Sequence, residues 1–154
     1  TTVCSAVALS SRKAAAKLSV CGFAIDEFRP EGLDRAPNLW SFFFNQVPAV
    51  PFRKFIAGRE SEVSWTALEG LDKLAAMLAP TAAELLEAQA ERDAVRRHLL
   101  DQMRSAPVLL MPPASIPAMK HRERRWEIGG KSIGMFQAMM TCTPWNLLGF
   151  PALV

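Results

Sequence analysis

The chain has 154 residues, half of them hydrophobic and 21% charged, with a formal net charge of +3 and a pI near 9.0. That is enough apolar side chain for the core of one globular domain spanning 1–154, or of a piece of a larger one, and it excludes disorder. The densest basic run, Lys120-His121-Arg122-Glu123-Arg124-Arg125, is short, broken by an acid and free of any recognition motif, so it reads as a solvated loop and no nucleic-acid partner is expected.

Cys4, Cys21 and Cys142 are widely spaced and form no Cys-x-x-Cys or Cys/His group. They read as reduced, buried thiols of a cytoplasmic protein, with no metal and no cofactor expected. No apolar run approaches the roughly 20 residues of a membrane span. At the N-terminus the positive charge follows the apolar stretch, the wrong order for a signal peptide.

Small and apolar residues at helical spacing (Ala6, Leu9, Ala16, Val20) predict a helix from Ser5 to Val20 with Gly22 as its stop. Phe23 to Phe28 alternates and ends at Pro30, which predicts a strand. The aromatic, proline-rich stretch Glu31 to Phe55 predicts a helix over Leu33 to Gln46, broken at Val47-Pro48. Its rings either pack that helix on the core, or line an acyl-binding pocket or a subunit or membrane-surface contact. Gly58 to Ala79 reads as a further helix. Thr81-Ala82-Ala83-Glu84 is a capping box opening a helix to about Arg104, with Leu85, Ala88, Val95, Leu99 and Met103 inward.

Arg92 falls on that apolar stripe and therefore needs a partner. An intramolecular carboxylate is one candidate. Beyond it, Pro107 to Met111 is continuously apolar, as in a strand buried on both faces, and leads into a stiff loop, Pro112 to Pro117. Trp126 to Ile133 reads as a hairpin around Gly129-Gly130, and a short helix spans Gly134 to Met140. In Thr141 to Val154, Pro144, Asn146, Gly149 and Pro151 predict a fixed turn. Ala152-Leu153-Val154 then reads as the opening of an interior strand, and so the chain as a piece of something longer.

The pattern Pro144, Asn146, Leu147, Gly149, Pro151, Ala152 resembles a late core segment of the amidase signature family of serine hydrolases, Pro-x-Asn-Leu-x-Gly-x-Pro-Ala. Val108-Leu109-Leu110-Met111-Pro112, followed by Pro117-Ala118, is similar to that family's strand-and-loop segment at the expected separation, and the order helix, Gly-Phe, strand, proline also matches near residue 22. The resemblance implies an α/β fold: part of an α/β/α sandwich with a mixed central sheet, seen as a helix-rich C-terminal fragment. It implies hydrolysis of the C–N bond of a small-molecule amide by a Ser nucleophile, a second Ser in a cis peptide linkage and a Lys base. The Gly/Ser-rich nucleophile loop and the lysine motif are absent from these residues, so no catalytic residue is assigned in this chain.

Ala88-Gln89-Ala90-Glu91-Arg92 has the spelling with which glutamine-using members grip a substrate carboxylate, which gives Arg92 its second candidate partner. Those members carry an Asp where Met139 aligns. Arg92, Met139 and Trp145 are thus the substrate-binding candidates, and Met139 argues for a neutral acyl group. The alternatives are a non-catalytic binding or interaction module of the same ancestry, and an unrelated α/β interaction domain. Ser10, Ser11 and Lys13 read as surface residues of a helix, and His98 and His121 have no nucleophile beside them. An open apolar edge near Val154 predicts self-association, hence a possible homo-oligomer.

Overall fold

In a computed structural model that describes residues 3–64, 67–68 and 79–153, the chain is helix-rich with one small antiparallel sheet. The first helix, α1 (Ser5–Val20), ends as its sequence predicts. Gly22 sits at φ 90°, its N–H reaches Ser19 O, and Phe23 N–H reaches Leu18 O, a Schellman stop that uses the freedom of glycine at positive φ. None of its residues is buried.

Residues 23–30 form no strand and pair with none among the described residues, and Phe23 and Ile25 are exposed. The predicted strand at Phe23 to Phe28 is therefore corrected. Alternation marks a face to be buried, but a ladder needs a neighbour that local pattern does not supply. Phe28 alone of these packs on the core.

A turn of 3₁₀ helix at Leu33–Arg35 leads into α2 (Ala36–Ser41), a π-helical turn at Phe42–Gln46 and α3 (Val47–Ile56). The predicted break at Val47-Pro48 does not occur. Val47 N–H bonds to Phe42 O, five residues back, and from this wide turn the chain continues into α3, with Pro48 in its first turn, where a missing N–H is tolerated, and Pro51 inside it. Of the predicted helix Gly58 to Ala79, Glu60–Glu62 forms a 3₁₀ turn and Val63 is extended; its remainder falls largely outside the described residues.

The capping box is as read. Thr81 Oγ1 accepts Glu84 N–H at 3.2 Å, Glu84 Oε2 accepts Thr81 N–H at 2.7 Å, and α4 (Ala82–Gln102) follows. Ala88, Val95, Leu99 and Met103 are buried, whereas Leu85 is exposed, so the inward stripe begins a turn later than predicted. Leu99 is completely enclosed, a burial worth roughly 1.5–3 kcal/mol.

Three contacts seat the 31–35 segment on α4. The Gln102 amide exchanges two hydrogen bonds with Glu31 (2.9 and 3.1 Å), as a neighbouring strand would, and Arg35 pairs with Glu91 at 3.0 Å. At Gly32, φ is 77° and a Cβ would come within 3.0 Å of the His98 ring, so conformation and space both call for glycine.

Residues 107–111 form no strand, and Val108 and Leu110 are exposed. This corrects the expectation of a doubly buried strand there, for the same reason as at Phe23. The hairpin is present: β1 (Arg125–Ile128) pairs with β2 (Lys131–Gly134), Ile128 opposite Lys131, and Gly129 and Gly130 at φ 58° and 74° make the two-residue turn. Next come α5 (Met135–Ala138) and α6 (Thr143–Leu148). The predicted fixed turn is thus a short helix, closed by Gly149 at φ 66°. Ala152 and Leu153 are exposed and in no strand; Val154 lies outside the described residues. The three thiols are free, as read, but not buried: Cys21 is exposed and Cys4 and Cys142 are half-buried.

Among the described residues the core has two parts. Leu39 of α2, the buried stripe of α4, and Leu147 and Leu148 of α6 form the larger; Ile116, Ile128 and Ala138 form the smaller. Cys4 N–H to Ser115 O (2.9 Å) and Ser115 N–H to Ala138 O (2.8 Å) join the start of α1, the loop and α5 around the second.

Candidate functional site

The larger core places two arginines of α4, one turn apart, beside two phenylalanines. Arg92 lies over Phe43, which the π-helical turn presents, with its Cζ 5.4 Å from the ring centroid. Its Nη2 is 3.4 Å from Asp93 Oδ1 and its side chain keeps 31% of its surface exposed. The arginine on the apolar stripe is therefore covered by an aromatic face, its free rim paired with its sequence neighbour.

Arg96 lies over Phe150 at 5.5 Å, and its Nε donates to Leu148 O at 3.0 Å. The Phe150 ring meets Trp145 edge-on, centroids 6.0 Å apart at 76°. Trp145 Nε1 in turn donates to Thr141 O at 2.9 Å. Arg96, Phe150 and Trp145 thus form one contact chain from α4 to α6.

Met139, half-buried, caps the C-terminal end of α5; its carbonyl accepts Cys142 N–H at 3.1 Å and the Cys142 thiol at 3.0 Å. Cys142 O accepts Asn146 N–H, so Met139 and Trp145 are linked through the backbone of the intervening turn. Trp40 stacks on Phe44 (5.3 Å, 15°) and tilts against Phe136 (5.3 Å, 46°), which carries the aromatic cluster of the π-helical region to α5. Phe44 and Phe136 remain exposed.

A groove of about 430 Å³ runs between the 34–42 segment and the first half of α4, walled by Asp34, Glu84, Glu87 and Glu91 with Leu39, Phe42 and Ala88 below. None of the three predicted residues lines it. Glu84 is held below the ordinary glutamate range, first by the Thr81 amide and then by the Thr81 hydroxyl. Ser11 donates to Val7 O, and Ser10, Lys13, His98 and His121 are exposed. Among the described residues no three His, Cys, Asp or Glu side chains gather as a metal site requires, and no helix is long and apolar enough to cross a membrane.

Arg96 was not singled out by sequence. The available signal was its spacing of four from Arg92, which puts both on one face of a helix.

A family model described as Amidase matches residues 1–154. Comparison with curated proteins and with solved structures gives no match.

Proposed function

We propose, for a chain that belongs to the amidase signature family, that it serves a hydrolase acting on the C–N bond of a neutral carboxylic amide. The observation that carries this reading is the family match along all 154 residues. In the proposed mechanism a Ser attacks the amide carbonyl, a second Ser in a cis peptide linkage and a Lys move the proton to the departing nitrogen, and water releases the acid. Those three residues lie outside this chain, which forms one flank of an α/β/α sandwich with a mixed sheet and a wall of the acyl pocket.

Met139 and Trp145 face the acyl group in this reading, and Arg92 borders it. The aromatic surface of Trp40, Phe44 and Phe136 supports a pocket for an aromatic or aliphatic acyl group. The cover of Phe43 over Arg92 supports the same preference, since a stacked guanidinium is already partly satisfied without a substrate carboxylate.

The experiment is a substrate panel on the intact enzyme and on a Met139→Asp variant. Neutral aryl and alkyl amides should be hydrolysed in preference to amino-acid amides, and Met139→Asp should shift the preference toward the latter. An unaltered preference removes Met139 from the pocket. The 154 residues by themselves should hydrolyse none of the panel.

A second reading, a non-catalytic binding module of the same ancestry, draws on the exposed apolar side chains of Phe23, Val108 and Leu110. It predicts binding of acyl amides without turnover by any form of the protein.

A further inference from the structure

We infer that Arg96 is a positioning residue, which clips the turn bearing Trp145 to α4 and so sets the place of the acyl-pocket wall. The inference rests on the functional reading above for its consequence in catalysis, but its structural part stands on contacts alone.

One guanidinium grips both sides of Gly149. On one side Arg96 Nε donates at 3.0 Å to the carbonyl of Leu148, the last residue of α6, whose oxygen has no partner further along its own helix. On the other, the flat face of the group covers the Phe150 ring at 5.5 Å. Between them Gly149 stands at φ 66°, with nothing within 4 Å of where a Cβ would be, so local packing does not hold the turn there. Phe150 passes the constraint on: its N–H bonds to Trp145 O at 3.1 Å and its ring meets the Trp145 edge.

A six-residue helix has little stability of its own. Leu147 and Leu148 anchor α6 in the core through their side chains, which keeps the segment folded without Arg96. What the arginine adds is the orientation of the far side of the turn. Both contacts depend on arginine chemistry, an Nε–H in the plane of a flat cation, and lysine offers neither.

The test uses Arg96→Lys and Arg96→Gln, with the neighbouring exposed Arg97→Gln as control. In the full chain, exchange of the Trp145 indole N–H is followed by NMR, its resonance identified by loss in Trp145→Phe. Both Arg96 variants should exchange roughly tenfold faster, as expected for loss of a charge-assisted hydrogen bond, while Arg97→Gln stays at the parent rate. In the intact enzyme, KM for its amide substrate should rise roughly tenfold with kcat within about twofold, because the pocket wall and not the reacting groups has moved. Unchanged indole exchange in both Arg96 variants overturns the clip. Faster exchange with unchanged KM overturns its role in substrate binding. An enzyme that hydrolyses no amide while indole exchange responds as expected defeats the functional reading and leaves the clip standing.

Discussion

The guanidinium of Arg92 rests on the face of Phe43, 5.4 Å from the ring centroid, and this contact crosses from α4 to the π-helical turn. It answers the question that an arginine on an apolar stripe poses: burial of the stem and one face is offset by the ring, and the charged rim stays in water.

For a partly exposed pair of this kind the coupling should be about 0.5–1 kcal/mol. A double-mutant cycle of Arg92→Lys and Phe43→Leu, read by urea unfolding, measures it. Arg92→Lys keeps the charge and loses the flat stack, so it should carry most of that loss. Independent, additive effects of the two substitutions would remove the stack from the account of α4.

At the other end of α4, Thr81→Ala should cost about 1 kcal/mol of stability, the usual worth of an N-cap. Glu84 adds a pH signature. Its folded pKa lies below the ordinary value of 4.5, chiefly through the Thr81 amide, so its contribution is complete above that value and is lost as pH falls through the lower folded pKa. Glu84→Gln should therefore flatten the acid limb of the stability profile. It should not abolish it, since Glu60 is lowered too, by its own amide and then that of Gly58. An identical acid limb in the variant would show that Glu84 is not held below its ordinary range.

Ser115 is wholly buried, and although its backbone bonds to Cys4 and Ala138, its Oγ has no partner among the described residues. A hydroxyl kept from water without a hydrogen bond costs about 1–3 kcal/mol, so Ser115→Ala should hold or raise the melting temperature, an uncommon outcome for a core position. A loss above about 1 kcal/mol in thermal unfolding would mean that the hydroxyl is satisfied.

Val108 is 87% exposed and Phe23 62%, each in a segment outside any ladder among the described residues. Exposed apolar side chains invite association, so we propose that the isolated 154 residues self-associate with rising concentration. Val108→Lys with Phe23→Lys should shift sedimentation toward the monomer. Unaltered sedimentation would assign any association to another surface.

What the sequence determined by itself is the set of features whose partners lie within a few residues. Thr81 and Glu84 form the capping box, Gly22 stops α1, and Gly129-Gly130 turns the hairpin, because each depends on a local backbone conformation and a bond to a near neighbour. The Pro144 to Ala152 spelling likewise placed the chain in its family. The tertiary structure decided what depends on distant groups. Phe23 to Phe28 and Pro107 to Met111 have the apolar pattern of strands yet no ladder among the described residues, since pattern states a need for burial and not who meets it. The helical run continues past Pro48, which falls in the first turn of α3 just after a π turn. Arg92 finds Phe43, and Arg96 finds Leu148 and Phe150, only once three helices have packed on one core, and no local rule of spacing encodes that meeting.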